Sequence, residues 1–538
     1  VSATIPAPAG EPTFLNGRRR RAELERLRET GVVDVLVIGG GVTGAGTALD
    51  AVTRGLSTVL VERDDLACGT SSYSSKLIHG GLRYLAKGQL DVAWESAQER
   101  HLLATVSAPH LVRALPQLTP VLAGGRGPAM ALAAGIRAGD LMRRAAGTRA
   151  SCLPAMRRVS GTEARLWTPA LSDAGLRGGL LAWDGQLEDD ARLVVALART
   201  AAAHGASILT RCGAVAVEPG EVLLSDTLSG ERFTVRARHV VNAAGVWAAG
   251  LAPGLSMSPS RGSHLVFDAA RLGFPRAMLN VPLPGAFGRF VFLIPRADGT
   301  VIGGLTDEPL PGAPPDRVEV PQDDRTFLLE ALSRVLSTPL RETDVIGAFA
   351  GMRPLLGGQG GAGTADLSRR HAVVVDPRTA MITVTGGKLT TYRRMAEDAV
   401  DVICARPGVA AGPCVTHRLA LVGAAPAGVP AAANTPLGGL VRRFGAEAAE
   451  LLALGRERPE LLEPVVAGTD VLRVELVAAV QREGALGPAD VFDRRTRLGL
   501  VDPLGREALL SGREVVEREL AEQGIDGGGV EVAAGTAT

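Results

Sequence analysis

Residues 34–62, DVLVIGGGVTGAGTALDAVTRGLSTVLVE, constrain the fold more than any other stretch of the chain. Asp34 to Ile38 is a short apolar run that predicts a buried strand. It runs into Gly39-Gly40-Gly41-Val42-Thr43-Gly44. Small residues follow (Ala45, Gly46, Ala48, Ala51), with Leu49 and Val52 at helical spacing. Ser57 to Val61 predicts a second strand, with Glu62 at its end. Strand, glycine turn, helix, strand and acid form a dinucleotide-binding βαβ unit. Gly39 permits the turn, Gly41 lets the backbone approach a pyrophosphate, and Gly44 lets the helix pack on the strand. The helix N-terminus offers free N–H groups to the phosphates. Glu62 can accept from ribose hydroxyls, which favours FAD or NAD over NADP.

At 538 residues the chain exceeds one simple core, and two or three domains are expected. The net charge of +1 argues against a nucleic-acid partner, and 3% aromatic residues are too few for base-stacking platforms. The five scattered cysteines, without a CxxC, suit a reducing cytoplasm and set no metal spacing, so no metal is expected. There is also no HExxH and no GxSxG. No stretch reaches the roughly 18 apolar residues of a membrane span. The N-terminus lacks a signal-peptide apolar core.

Positive charge is almost all arginine. The only lysines are Lys76, Lys87 and Lys388, and the only tyrosines are Tyr73, Tyr84 and Tyr392. All six fall within 73–87 and 388–392, which marks these two segments for function.

The chain divides by pattern. Residues 1–30 read as an N-terminal extension, with Arg18 to Arg21 on a solvated face. Residues 31–115 and 181–254 read as two parts of a cofactor domain, with 90–115 helical and 351–405 as its third part. Residues 116–180 form a cap region that resists assignment. Residues 188–205 predict a helix, ASILTRCGAVAVE a strand, and 222–236 an antiparallel excursion. HVVNAAG predicts a parallel strand whose end, at Gly245, abuts the cofactor. Residues 255–350 predict an antiparallel substrate domain, with a hairpin at Asp298-Gly299. Residues 406–525 form a helical C-terminal domain, and 526–538 a disordered tail.

The Ser/Thr cluster and Gly80-Gly81 within 63–87 suit a diphosphate cradle, with His79 beside it as a cofactor contact. ITVTGGKLTTYRR repeats the strand–glycine–helix pattern. A helix starting near Leu389 would aim its dipole at a group that gains negative charge, such as a reduced flavin ring. Arg83, Arg353 and Arg369 are candidates to grip an anion. His264, in Arg261-Gly262-Ser263-His264, suits a general base.

The stretches VIGGGVTGAGTALDAVTRGLS, LACGTSSYSSKLIHGGLRYL, DDARL, VNAAGVWA, GSH, GMRPL, TGGKLTTYRRMAEDAV and RRTRL together resemble the FAD-dependent glycerol-3-phosphate dehydrogenases and the related glycerophosphate oxidases. The resemblance implies an α/β fold. It would hold a Rossmann-like FAD-binding domain of the glutathione-reductase-like or amino-acid-oxidase-like kind, an antiparallel-sheet substrate domain and a helical C-terminal domain. It implies oxidation of sn-glycerol 3-phosphate to dihydroxyacetone phosphate, with hydride passing from C2 to flavin N5 and electrons going to a quinone, or to oxygen in the oxidases. By the family pattern Arg83, Tyr84, Thr306 and Arg369 bind substrate. His264, Arg353 and Lys388 are the catalytic candidates. Gly39, Gly41, Gly44, Glu62, Ser75, Lys76, His79, Gly80, Gly245, Gly387, Leu389 and Thr390 would hold FAD. The expected location is cytoplasmic, at the inner face of the cell membrane through a peripheral contact, and a homodimer is allowed. Three departures stand out: Leu305 replaces a threonine in Gly304-Leu305-Thr306-Asp307, Tyr73 interrupts the serine run, and 116–150 is glycine- and alanine-rich where bulkier residues are expected at a membrane-facing surface, which argues against quinone docking there. The rival readings are an amine or amino-acid oxidase of the same broad fold and a flavin-bearing sensor.

Overall fold

A computed structural model describes residues 3–80, 89–123, 126–283, 289–357, 370–425 and 435–525. The α/β expectation holds, and among the described residues two sheets, of eight and ten strands, organise the chain. The first has eight strands. Its centre is β1 (Val32–Ile38), flanked by β2 (Thr58–Val61) on one side and β10 (Arg232–Asn242) on the other. β7 (Ser207–Leu209) extends it past β2, and β18 (Ile382–Gly386) extends it past β10. These five run parallel, and their buried runs of Val, Leu and Ile are what a sheet covered on both faces requires. β17 (His371–Val375) closes one edge antiparallel to β18. The hairpin of β8 (Cys212–Glu218) and β9 (Glu221–Asp226) pairs with the start of β10.

α1 (Gly17–Thr30) precedes this sheet. α2 (Val42–Thr53) follows β1. α3 (Leu90–Leu102), α4 (Arg126–Ala145) and α5 (Gly161–Trp167) come next, and α6 (Asp190–Ala203) packs against α2. α7 (Gln322–Ser333) belongs to the second sheet, and α8 (Tyr392–Cys404) follows β18. α2 and α8 approach closely because Gly46 faces the Tyr392 ring, where a Cβ would lie 2.9 Å from it.

The second sheet has ten strands. β3 (Leu77–Ile78), β4 (Val112–Leu122), β5 (Arg157–Val159) and β6 (Leu176–Leu187) form one end. β11 (Ser260–Asp268), β12 (Met278–Pro282), β13 (Phe290–Pro295), β14 (Thr300–Gly304), β15 (Glu308–Pro309) and β16 (Val345–Arg353) form the other. The Asp298-Gly299 hairpin forms as expected. Gly299 takes φ +84°, and the Asp298 carboxylate accepts from the Thr300 N–H and O–H.

Several local expectations need correction. Residues 112–115 are strand rather than helix, because β4 pairs along its whole length with β6. ASILTRCGAVAVE is two strands, broken at Arg211, which takes φ +54°. The basic run in 18–21 is a solvated face only in part: Arg18 and Arg21 are exposed. Arg20 is buried, 2.7 Å from Asp226, and Leu24 and Leu27 of α1 join the core around β8 and β9. The stretch 526–538 lies outside the described residues.

The C-terminal region carries α9 (Pro436–Phe444), α10 (Ala448–Glu457), α11 (Arg473–Gln481) and α12 (Asp502–Glu522) around its own apolar core. It docks on the first sheet through buried ion pairs. Arg192 and Arg199 of α6 reach Glu483 (2.5 Å) and Glu447 (2.7 Å). Arg211 reaches Asp490 at 2.7 Å. Asp65 takes Arg495 at 2.8 Å and Arg494 at 2.5 Å, and Arg497 lies 3.1 Å from Asp189. Such pairs add little net stability over an apolar contact but are costly to break one-sidedly, so they act as orienting pins.

Candidate active site

The βαβ glycines do what their positions require. Gly39 takes φ +110°, and a Cβ there would lie 2.6 Å from the Ala243 carbonyl oxygen. A Cβ on Gly44 would lie 1.9 Å from the Gly39 oxygen, so only glycine lets α2 start so close to β1. A Cβ on Gly41 meets only the Ser71 hydroxyl, which leaves the helix start open toward a ligand. Glu62 is half-buried. Its carboxylate accepts from the Gly40 N–H at 2.6 Å and the Asp64 N–H at 2.9 Å. Burial pushes its pKa up, against the pull of those two N–H groups.

Ile38, Asn242 and Thr383 lie in one row across β1, β10 and β18. The two glycine turns therefore leave the same edge of the sheet, two strand spacings apart, or about 10 Å. The second turn uses Gly386 (φ +77°) and Gly387 (φ +72°). A Cβ on Gly387 would lie 2.5 Å from the Met395 sulfur. Lys388 caps a short 3-10 turn, Leu389–Thr391, that feeds α8, and its ammonium donates to the Ser96 hydroxyl of α3. Thr390 is buried and Leu389 half-buried, so this turn presents backbone more than side chains. Gly245 opens another turn on this edge at φ +58°, with nothing near its missing Cβ. The Gly80 N–H donates to Asp184, which pairs with Arg100 at 2.5 Å, and His79 is half-buried beside it.

The loop from Gly69 to Lys76 joins the two sheets. Ser71 Oγ accepts from the Val42 N–H at 3.0 Å, at the start of α2. The Thr70 hydroxyl donates to the Met352 carbonyl at 2.5 Å. The Ser74 N–H and O–H both donate to Asp190. Ser71 was legible only as part of the Ser/Thr cluster; nothing in the pattern singled it out over Ser75.

On the second sheet Arg353, Gly351 and Phe349 of β16 face Ser260, Gly262 and His264 of β11. With a period of two, all six point to one side. Three glycines clear that side. A Cβ on Gly262 would strike the Arg353 guanidinium, one on Gly351 would lie 2.5 Å from the Tyr73 oxygen, and one on Gly304 would lie 2.5 Å from the His264 ring. Arg353 donates to Asp307 at 3.0 Å, the Thr306 carbonyl at 3.0 Å and Ser260 at 3.1 Å. His264 is 2% exposed and stacks on Phe349 with centroids 4.6 Å apart. Its Nε2 shares a 2.8 Å hydrogen bond with Ser75 Oγ. Burial, aided by Arg353 and Lys76, holds the His264 pKa down to about 3, so the ring is neutral.

Two expected site residues take other roles. Lys76 is fully buried, 2.7 Å from Asp190 and 3.5 Å from Asp189, so its ammonium holds the loop and does not face a cofactor. Burial lowers its pKa, and Asp190 pulls against that. Thr306 is also buried. Its hydroxyl accepts from the Ser263 N–H at 3.0 Å and donates to Asp324 at 3.1 Å. Tyr392, one of the six clustered residues, is a core residue between α2 and α8. Arg83, Tyr84 and Arg369 lie outside the described residues.

The family model of FAD dependent oxidoreductases matches residues 34–393. That of the C-terminal domain of alpha-glycerophosphate oxidase matches residues 414–521. Glycerol-3-phosphate dehydrogenase 1 of Mycobacterium tuberculosis is 50% identical over 505 residues, covering 92% of this chain and 97% of that protein. The chain belongs to the FAD-dependent glycerol-3-phosphate dehydrogenase family. A second member, from Mycobacterium leprae, is 37% identical over 95% of this chain and 89% of its own length. Among solved structures of the family, glycerol-3-phosphate dehydrogenase from Bacillus halodurans complexed with FAD superposes with a TM-score of 0.72. It is 27% identical and covers 94% of each chain. The residues of this family member fit FAD: the cleared helix start at Gly41, the Glu62 carboxylate and the second glycine turn on one sheet edge suit a dinucleotide with a flavin at its far end. Among the described residues, no helix is long and apolar enough to cross a membrane.

Proposed function

We propose that the chain oxidises sn-glycerol 3-phosphate to dihydroxyacetone phosphate and passes the electrons to a quinone. When bound, FAD supplies the acceptor for the C2 hydride. The carrying observation is the Arg353 guanidinium, held over Gly262 by Asp307, one pleat from the buried His264. A planar fork fixed this way suits a phosphate, on the same face of the sheet as the histidine. The names of the curated relatives support this substrate.

Lys388 is assigned to the phosphate end or the developing alkoxide. It stands on the second glycine turn, where a helix start and an ammonium together favour negative charge. Glu62, Gly39, Gly41 and Gly44 would hold the adenosine and diphosphate end. The quinone reading is supported by α4. Met130 and Leu141 are each 66% exposed on it, with Arg137 and Arg144 at helical spacing along the same stripe, a pattern suited to a lipid surface. The C-terminal match to alpha-glycerophosphate oxidase favours oxygen as a second reading of the acceptor.

Anaerobic mixing with glycerol 3-phosphate should bleach the flavin. Adding oxygen or a quinone analogue to separate samples then identifies the acceptor by which one restores colour. Lys388→Met should slow bleaching by roughly 10²–10³-fold, as for loss of one transition-state donor, while FAD stays bound. An unchanged single-turnover rate would refute the role of Lys388. A flavin that glycerol 3-phosphate leaves oxidised would refute the substrate.

A further inference from the structure

We infer that Ser75 relays the substrate's hydroxyl proton to His264, so that the buried histidine acts through the serine and not by direct contact. The inference rests on the alcohol-oxidation reading above and adds the route of the proton.

His264 cannot easily turn toward a ligand. Its ring is clamped between Phe349, stacked at an interplanar angle of 15°, and the backbone of Gly304, where a Cβ would strike it. Of its two nitrogens, Nδ1 is buried with no hydrogen-bond partner among the described residues. Nε2 has one partner among them, the Ser75 hydroxyl at 2.8 Å. Ser75 itself is half-buried, so it stands between the buried ring and the accessible side of the loop. A proton arriving from outside reaches His264 at Nε2, and Ser75 occupies that approach.

The loop holds Ser75 in place. Its neighbours Ser74 and Lys76 are both fixed by Asp190, and Tyr73 rests over Gly351. Ser75 therefore meets Nε2 with little freedom to swing away.

The step balances as follows. FAD, when bound, would supply the acceptor for the C2 hydrogen and its electron pair. The O–H pair of the substrate becomes the second bond of the ketone, and its proton goes to Ser75 Oγ. The Ser75 proton passes to Nε2, leaving an imidazolium. In the resting protein the charged groups acting on His264 are Arg353 and Lys76, and both oppose that imidazolium. Lys76 is itself balanced by Asp190 and Asp189 and faced by Arg497. A phosphate dianion on Arg353 would cancel one of the opposing charges and raise the ring's proton affinity, while burial, the larger opposing influence, stays.

The relay requires Nε2 to be an acceptor in the resting enzyme, with the proton on Nδ1. The test has two arms. Selective ¹⁵N-histidine labelling of the oxidised enzyme, with His264 assigned by loss of its signal in His264→Gln, reads the tautomer directly. An unprotonated Nε2 that gains a proton in Ser75→Ala supports the relay, and a protonated Nε2 in the wild type overturns it. In the second arm, Ser75→Ala should slow anaerobic flavin bleaching by about 10²-fold, the scale of one lost proton-transfer group, and abolish its solvent deuterium isotope effect. Ser75→Thr, which keeps the hydroxyl, should recover part of the rate. FAD content read at its visible absorbance separates this from loss of fold. Equal bleaching rates in wild type and Ser75→Ala would overturn the relay alone. A wild type that glycerol 3-phosphate does not bleach would overturn the functional reading with it.

Discussion

Asp65 is the most exposed weakness in the way the C-terminal region is attached. Its carboxylate is 1% exposed, on the loop that follows Glu62. It accepts two bonds of 2.8 Å from Arg495 and one of 2.5 Å from Arg494. Burial by itself would raise its pKa; the two guanidiniums overrule that and hold the carboxyl well below its ordinary range. Asp65→Asn keeps the shape but leaves two buried cations without this partner. Breaking one side of a buried pair costs about 3–5 kcal/mol. Arg494 keeps Asp490 at 2.5 Å and Arg495 keeps the Glu483 carbonyl at 2.9 Å, which places the loss near the lower end, ~3 kcal/mol. Against a total stability of about 5–15 kcal/mol that is a large fraction.

The pH dependence has a definite sign. A carboxyl whose folded pKa is depressed adds stability above its unfolded value of about 3.9 and loses it as pH falls toward the folded value. The gap between wild type and Asp65→Asn should therefore be flat from pH 5 to 8 and shrink below about pH 4. Denaturant titration at several pH values, with a cycle adding Arg495→Met, measures this. A difference within about 0.5 kcal/mol of zero at pH 7, or a coupling energy near zero, would refute the pin. The loop from Asp65 to Lys76 should also loosen its hold on FAD, read as a faster release of flavin fluorescence on heating.

Gly44→Ala places a methyl 1.9 Å from the Gly39 oxygen, so α2 must move off β1. The variant should purify with little or no FAD, and a normal flavin spectrum would contradict the packing argument. Leu141→Glu puts a charge on the exposed stripe of α4, where Leu141 is 66% exposed. It should reduce sedimentation with anionic vesicles while leaving anaerobic bleaching by glycerol 3-phosphate unchanged; full vesicle binding would rule out α4 as the contact.

The sequence by itself determined the parts whose chemistry is local. A βαβ turn needs glycine where φ is positive or where a helix crosses a strand, so Gly39, Gly44 and Gly387 can be read from a few neighbours. The Asp298-Gly299 hairpin obeys rules of the same short range. Only the tertiary structure decided which charges serve chemistry and which serve attachment. Lys76 and Tyr392 shared the clustering that marked the site, yet both are buried structural groups. Thr306 sat in a functional motif, yet it is buried and its hydroxyl meets Asp324. Arg495 reaches Asp65 across 430 residues, and no periodicity links them. An ion pair depends on where two side chains meet in space, and its sequence separation is arbitrary. The same holds for Ser75 and His264, on different elements 189 residues apart, whose 2.8 Å contact exists because three glycines clear one face of a sheet for a loop to settle on.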